Sequence, residues 1–164
     1  MGVGNFFGML PENLNQSKLY GVELDSISVE LQSCSIQMPI FRLKVLRRQI
    51  ILMIFDVAIG NVPFGAYKVN DRQYDRYNFM IHDYFLAKTI DQLRPGGVAA
   101  LITTKGTMDK ASPEVRKYLA ERADLLGAIR LPNTAFKANA GTEVSADILF
   151  SRRGKALRKK CRNG

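Results

Sequence analysis

At 164 residues, with a formal net charge of +9 and a pI near 9.8, the chain has room for one domain with a sizeable core. No apolar run reaches membrane-spanning length and Met1-Gly2 lacks the basic-then-apolar pattern of a secretory signal, so membrane-spanning and exported classes are set aside and the chain reads as cytoplasmic. The charge is unevenly placed: residues 151–164 hold seven basic side chains and no acid, residues 29–54 add a net +3, and the rest carries −1, which removes net charge as an argument for nucleic-acid binding.

In chain order, Gly2-Val3-Gly4-Asn5-Phe6-Phe7-Gly8 is a glycine-rich loop whose backbone N–H groups can approach a ligand closely. Residues 18–25 read as a strand closing on Glu23 and Asp25. An acid at the end of the second strand of a doubly wound sheet can accept hydrogen bonds from ribose hydroxyls, whereas without the loop the two acids read as a solvated strand end. Residues 55–60 form an apolar strand that runs into the turn Asn61-Val62-Pro63-Phe64-Gly65. Residues 78–93 place Met80, Ile81, Tyr84, Phe85, Ala87, Ile90 and Leu93 mostly on one face, an amphipathic helix stopped by Arg94-Pro95-Gly96-Gly97. A buried strand follows over 98–103. A second helix runs from Ser112-Pro113-Glu114 to about 123, with Ser112 as N-cap and Pro113 at the first helical position. Strands over 125–131 and 142–150 complete an α/β pattern with a largely parallel sheet covered by helices. His82, the sole histidine, reads as structural, and no metal is expected because no Cys/His/Asp cluster has ligand spacing.

Taken alone, Asn61 to Phe64 is as well explained by an ordinary proline turn as by a site that handles a base. Taken in order, the glycine loop, the acidic strand end and the Asn-x-Pro-Phe turn resemble the motif series of S-adenosylmethionine (SAM) dependent methyltransferases, above all the adenine-N6 DNA methyltransferases, with Val62 in place of the first Pro of Asn-Pro-Pro-Phe/Tyr. The wording Asn78-Phe79-Met80-Ile81-His82-Asp83-Tyr84-Phe85, Thr107-Met108-Asp109-Lys110 and Arg130-Leu131-Pro132-Asn133-Thr134-Ala135-Phe136 is similar to the methylase region of very large methylase-helicase proteins of bacterial mobile elements.

The resemblance implies a Rossmann-like fold, SAM as cofactor, DNA as partner and a helicase region in full-length relatives. It assigns SAM to Gly2, Gly4, Asn5, Glu23 and Asn61, and catalysis to Asn61, Val62, Pro63 and Phe64. An adenine amino nitrogen is a poor nucleophile because its lone pair is delocalised into the ring. Two acceptors, the Asn61 side-chain oxygen and the Val62 carbonyl, would draw it toward tetrahedral geometry while Phe64 stacks on the flipped base. Pro63 keeps Val62 extended, and Val62→Pro is expected to leave activity equal or higher. Phe136 and Thr142 fall where such enzymes shape the base pocket, although core packing accounts for Phe136 equally well. Two other readings stand beside this one: methylation of an amino or amide nitrogen in RNA or protein, and a non-catalytic fragment that binds nucleic acid or a partner.

Three features depart from the family pattern. Met1 directly precedes the glycine loop, so the first, central strand is expected to be missing, the sheet incomplete, and SAM binding weak. Regrouping codons by one base turns residues 45–54 into Gly-Phe-Glu-Lys-Thr-Asp-Tyr-Pro-Asp-Asp, similar to family sequence before its Phe-Asp-Val strand. Residues 29–54 and 151–164 therefore read as translated out of frame, against a divergent insertion plus a basic tail. Both cysteines, Cys34 and Cys161, lie there and support no disulfide argument. The expected organisation is a partial methyltransferase domain over 1–150, too short to include a target-recognition domain, and a basic, disordered tail over 151–164.

Overall fold

The computed structural model describes residues 9, 11–14, 16–20, 55–137 and 144–154. The chain divides into two compact units, residues 1–50 and 51–164. In the first, Glu12–Leu14 form a 3-10 turn, closed by the Leu14 N–H on the Pro11 carbonyl at 2.9 Å. Residues 18–20 carry no regular structure, so the strand expected from Lys18 does not begin there, and residues 21–25 lie outside the described residues.

The second unit contains β1 (Phe55–Asn61), a 3-10 turn (Asp75–Tyr77), α1 (Ile81–Gln92), β2 (Leu93–Thr104), α2 (Gly106–Asp109), α3 (Glu114–Ala120), β3 (Ala123–Arg130) and β4 (Ala146–Arg153). The four strands form one sheet in the order β1-β2-β4-β3. β1 and β2 pair in parallel, while β4 pairs antiparallel with both β2 and β3, so among the described strands β1, β2 and β3 run in one direction, as expected of a largely parallel sheet, and β4 alone is reversed. The strand signal of alternating apolar residues carries no direction, and an antiparallel neighbour needs no crossover helix to reach its place.

Boundaries shift for identifiable reasons. The helix stops before Arg94-Pro95-Gly96-Gly97, as expected, and the same four residues lie at the start of β2, as an irregularity opposite Phe55 and Asp56. Gly96 has φ +85°, and a Cβ on Gly97 would stand 3.0 Å from the carbonyl oxygens of Arg94 and Asp56, so this close backbone approach requires glycine. In α3, Pro113 rather than Ser112 is the N-cap, without a side-chain capping bond. At the far end, β4 runs past the expected 150. Ser151 and Arg152 pair with Ala99 and Val98 of β2, and Arg153 is buried, so these residues belong to the sheet and not to a tail. Residues 155–164 lie outside the described residues, as do residues 21–54.

One face of the sheet carries Ala99, Leu101 and Leu149, which pack with Leu86 and Ile90 of α1 and with Val62 just after β1. A second cluster, dominated by Tyr74, Phe79, Tyr84 and Tyr118, lies between the loop before α1 and α3. At 25 cal/mol per Å² of apolar area, such aromatic side chains contribute about 2–3 kcal/mol each when fully buried. On the other face Val57, Ile59 and Ile129 remain more than half exposed.

Candidate active site

The turn after β1 is the point from which the site can be built. Asn61, the last residue of β1, is exposed at the carboxyl end of the strand and is in register with Ile102 of β2. Open α/β sheets bind ligands outside the carboxyl ends of their strands. Val62 turns inward: it is buried, and its N–H donates to the Ile102 carbonyl at 3.0 Å, which extends the ladder by one bond and fixes the start of the turn. Pro63 is half-buried, and Phe64, also half-buried, packs against the main apolar cluster. The structure therefore brings Asn61, Val62, Pro63 and Phe64 together at one strand end. Gly2, Gly4, Asn5, Glu23 and Thr142 lie outside the described residues, and Phe136 is half-buried in the segment after β3.

The far side of the turn is closed by α1. A Cβ at Gly65 would stand 2.5 Å from Cε1 of Tyr67 and 3.5 Å from Cγ2 of Ile81, while the Ile81 N–H donates to the Tyr67 carbonyl at 2.9 Å. Next to Ile81, the imidazole of His82 is buried, with Nε2 3.6 Å from Asp83 Oδ1. Burial holds its pKa below the ordinary histidine range, with Lys110 acting in the same direction and Asp83 and Gly65 opposing.

Beneath the turn lies a buried polar chain that sequence patterning did not reveal. Thr103 and Thr107 share a hydroxyl–hydroxyl bond of 2.9 Å, the Thr107 hydroxyl donates to Asp83 Oδ1 at 3.2 Å, and Lys110 donates to Asp83 Oδ2. Thr103, Thr107 and Asp83 are each at most 2% exposed. At the same end of the sheet Arg130 forks onto Asp147, with Nε and Nη2 at 2.9 and 3.1 Å, and reaches Asp109 at 2.7 Å. Hydrogen bonds to these two carboxylates raise the Arg130 pKa further. The segments Thr107-Met108-Asp109-Lys110 and Arg130-Leu131-Pro132 stood out in the sequence without a role. A polar cluster inside an apolar framework was the available signal.

Among the described residues no group of three His, Cys, Asp or Glu side chains stands close enough to hold a metal ion, and no helix is long and apolar enough to cross a membrane.

A family model described as N-6 DNA Methylase matches residues 9–162. The "Defense against restriction protein B" of Escherichia phage P1 is 34% identical over 103 residues, 60% of this chain and 4% of that protein. The "Type I restriction enzyme EcoEI methylase subunit" of Escherichia coli is 31% identical over 108 residues, 60% of this chain and 21% of the subunit. The chain thus spans about a fifth or less of the curated relatives it matches. In fold it is similar to a Listeria monocytogenes protein assigned to the class I S-adenosylmethionine-dependent methyltransferases. The TM-score is 0.63 at 19% identity, over 82% of this chain and 44% of the other.

Proposed function

Because this chain belongs to the N-6 DNA methylase family, we propose that its chemistry is SAM-dependent methyl transfer to the N6 amino group of adenine in DNA, carried by the turn at the end of β1. The observation that supports it most directly is the placement of Asn61: an exposed amide at the carboxyl end of β1, followed by a buried Val62 whose backbone is held by β2.

The Asn61 side-chain oxygen and the Val62 carbonyl accept hydrogen bonds from the two amino protons, localise the lone pair on nitrogen and aim it at the methyl group; Phe64 stacks on the extruded base. SAM supplies an electrophilic methyl group when bound. Asn61 would contact both it and the base, and Gly2, Gly4, Asn5 and Glu23 would complete the proposed cofactor contacts. Transfer is a direct displacement, in which positioning and preorganised acceptors do the work of the chain's own residues.

The test is methyl transfer from labelled SAM by the 164-residue chain to adenine-containing DNA, with nucleoside analysis of the product. Asn61→Ala should lower the rate by on the order of a hundredfold, with a smaller loss of SAM affinity because the other proposed cofactor contacts remain, since it removes an acceptor most valuable in the transition state. Near-parental activity in Asn61→Ala would overturn the assignment of the turn, and methyl groups recovered on another nitrogen would overturn the assignment of adenine.

A further inference from the structure

The turn after β1 hangs between two supports. At its start the Val62 N–H is held by the carbonyl of Ile102, the β2 residue in register with Asn61. On its far side the chain is received by the start of α1. There the Ile81 N–H donates to the Tyr67 carbonyl at 2.9 Å, and Cγ2 of Ile81 stands 3.5 Å from where a Cβ on Gly65 would lie. The spacing of the two supports therefore sets the span across which Asn61, Val62, Pro63 and Phe64 are held. A bridge of buried side chains joins them. Asp83, just beyond Ile81 in α1, accepts at Oδ1 from the Thr107 hydroxyl at 3.2 Å. With its proton so placed, Thr107 accepts from the hydroxyl of Thr103, the residue after Ile102, at 2.9 Å. We propose that Asp83 and Thr107 are positioning residues for this site: their bridge fixes the start of α1 against the end of β2 and so holds the turn in the shape that presents Asn61 and the Val62 carbonyl to the base. The functional part rests on the methyltransferase reading, the structural part on the hydrogen bonds alone.

An acid in the first turn of a helix is ordinarily explained by the helix dipole, on a solvated face. Asp83 is instead buried, and both of its oxygens are taken from α2 and the residue after it: Thr107 bonds Oδ1 and Lys110 bonds Oδ2. His82 adds a further neighbour, with Nε2 3.6 Å from Oδ1. The four-residue α2 is too short to hold itself, and Arg116 of α3 steadies it. Its Nη1 donates to the carbonyls of Thr107, Met108 and Lys110 at 3.4, 3.2 and 2.8 Å. Apolar side chains of similar size would fill the same space without the cost of taking a carboxylate out of water. What they would lack is direction: apolar contact constrains no angle, whereas a hydrogen bond to a carboxylate oxygen fixes both distance and angle. Thr103 and Thr107 are fully buried, so the bridge is also closed to competing water.

Thr107→Val keeps the shape of the side chain and removes the bridge, whereas Thr107→Ser keeps the hydroxyl. Native-state amide exchange on the full chain reads the two supports directly. In Thr107→Val the Val62 and Ile81 amides should exchange about tenfold or more faster, while the amide of Leu149, on β4 between β2 and β3, keeps its rate. Thr107→Ser should leave the Val62 and Ile81 rates close to the parental ones. In methyl transfer, Thr107→Val should lower kcat by about tenfold or more with the SAM Kd within about twofold, and Thr107→Ser should retain most of the rate. Thr103→Val combined with Thr107→Val orphans no hydroxyl and gives the same readouts where the single variant fails to fold. Unchanged exchange at Val62 and Ile81, or loosening of Leu149 in step with them, would overturn the bridge as a positioning device, and this holds whether or not the chain transfers methyl groups. If Asn61→Ala loses activity while folded Thr107→Val keeps the parental kcat, positioning fails and the methyltransferase reading stands; if Asn61→Ala keeps activity, that reading fails and the exchange result alone judges the bridge.

Discussion

At the scale of single residues, Val62 is where structure and family pattern pull apart. Its N–H donates to Ile102 at 3.0 Å in a buried position, and proline there would delete the donor and strand the carbonyl. Val62→Pro is therefore expected to lower unfolding free energy by roughly 1–3 kcal/mol, offsetting any gain from a stiffer turn, and a urea titration of both proteins measures it. Phe64 likewise has two duties. It packs on the cluster of Leu86, Ile90 and Leu101 while remaining half-exposed, so Phe64→Ala should weaken DNA capture and also cost about 2 kcal/mol, less than the 3–5 of a fully buried phenylalanine. A raised KM for DNA with unchanged unfolding would show that the packing contributes nothing.

At the scale of elements, α1 departs most from its pattern. The spacing of apolar residues predicts one buried face, yet His82, Asp83, Lys88, Asp91 and Gln92 are buried as well. Each buried charge has a partner brought from elsewhere: Lys110 for Asp83, Asp71 for Lys88, Arg153 for Asp91. Asp91 also accepts from the phenols of Tyr74 and Tyr118 at 2.9 and 2.5 Å, and burial, together with the nearby Asp91 carboxylate, drives both phenol pKa values up. Arg153 donates to Asp91 at 2.9 Å and to the Ile90 carbonyl at 3.1 Å, clamping the last residue of β4 to the last turn of α1. Removing one member of a buried pair leaves the other uncompensated. Arg153→Met should thus destabilise by about 3 kcal/mol, with Arg122 and the two phenols limiting the loss. Pairing Arg153→Met with Asp91→Leu should recover part of it in a double-mutant cycle; strict additivity would show that the clamp is not energetic.

At the scale of the whole molecule, pH tests the same buried groups together. The His82 pKa is lowered in the fold by burial and Lys110, so below the ordinary histidine range the unfolded chain takes up the proton first. Its contribution is complete above that range and is lost as pH falls through it toward the depressed value. A second loss belongs to Asp71. Burial raises its pKa, but bonds from Lys88, the Gln73 N–H and Tyr84 outweigh this and lower it, so its contribution disappears as pH falls below the ordinary carboxylate range. Urea midpoints measured across these two windows should fall in both, and His82→Gln should flatten the first alone. The sequence by itself determined the secondary-structure alternation, the position of the Asn61 turn at a strand end and, through its ordered motifs, the family, because these are written in local spacing and in residue types at fixed intervals. The reversal of β4, its extension through Arg153 and the burial of charge around α1 were decided by tertiary structure. A charged side chain reads as solvated wherever its partner is distant in sequence; Asp91 and Arg153 stand 62 residues apart, and only the folded sheet brings the two charges within a hydrogen bond of each other.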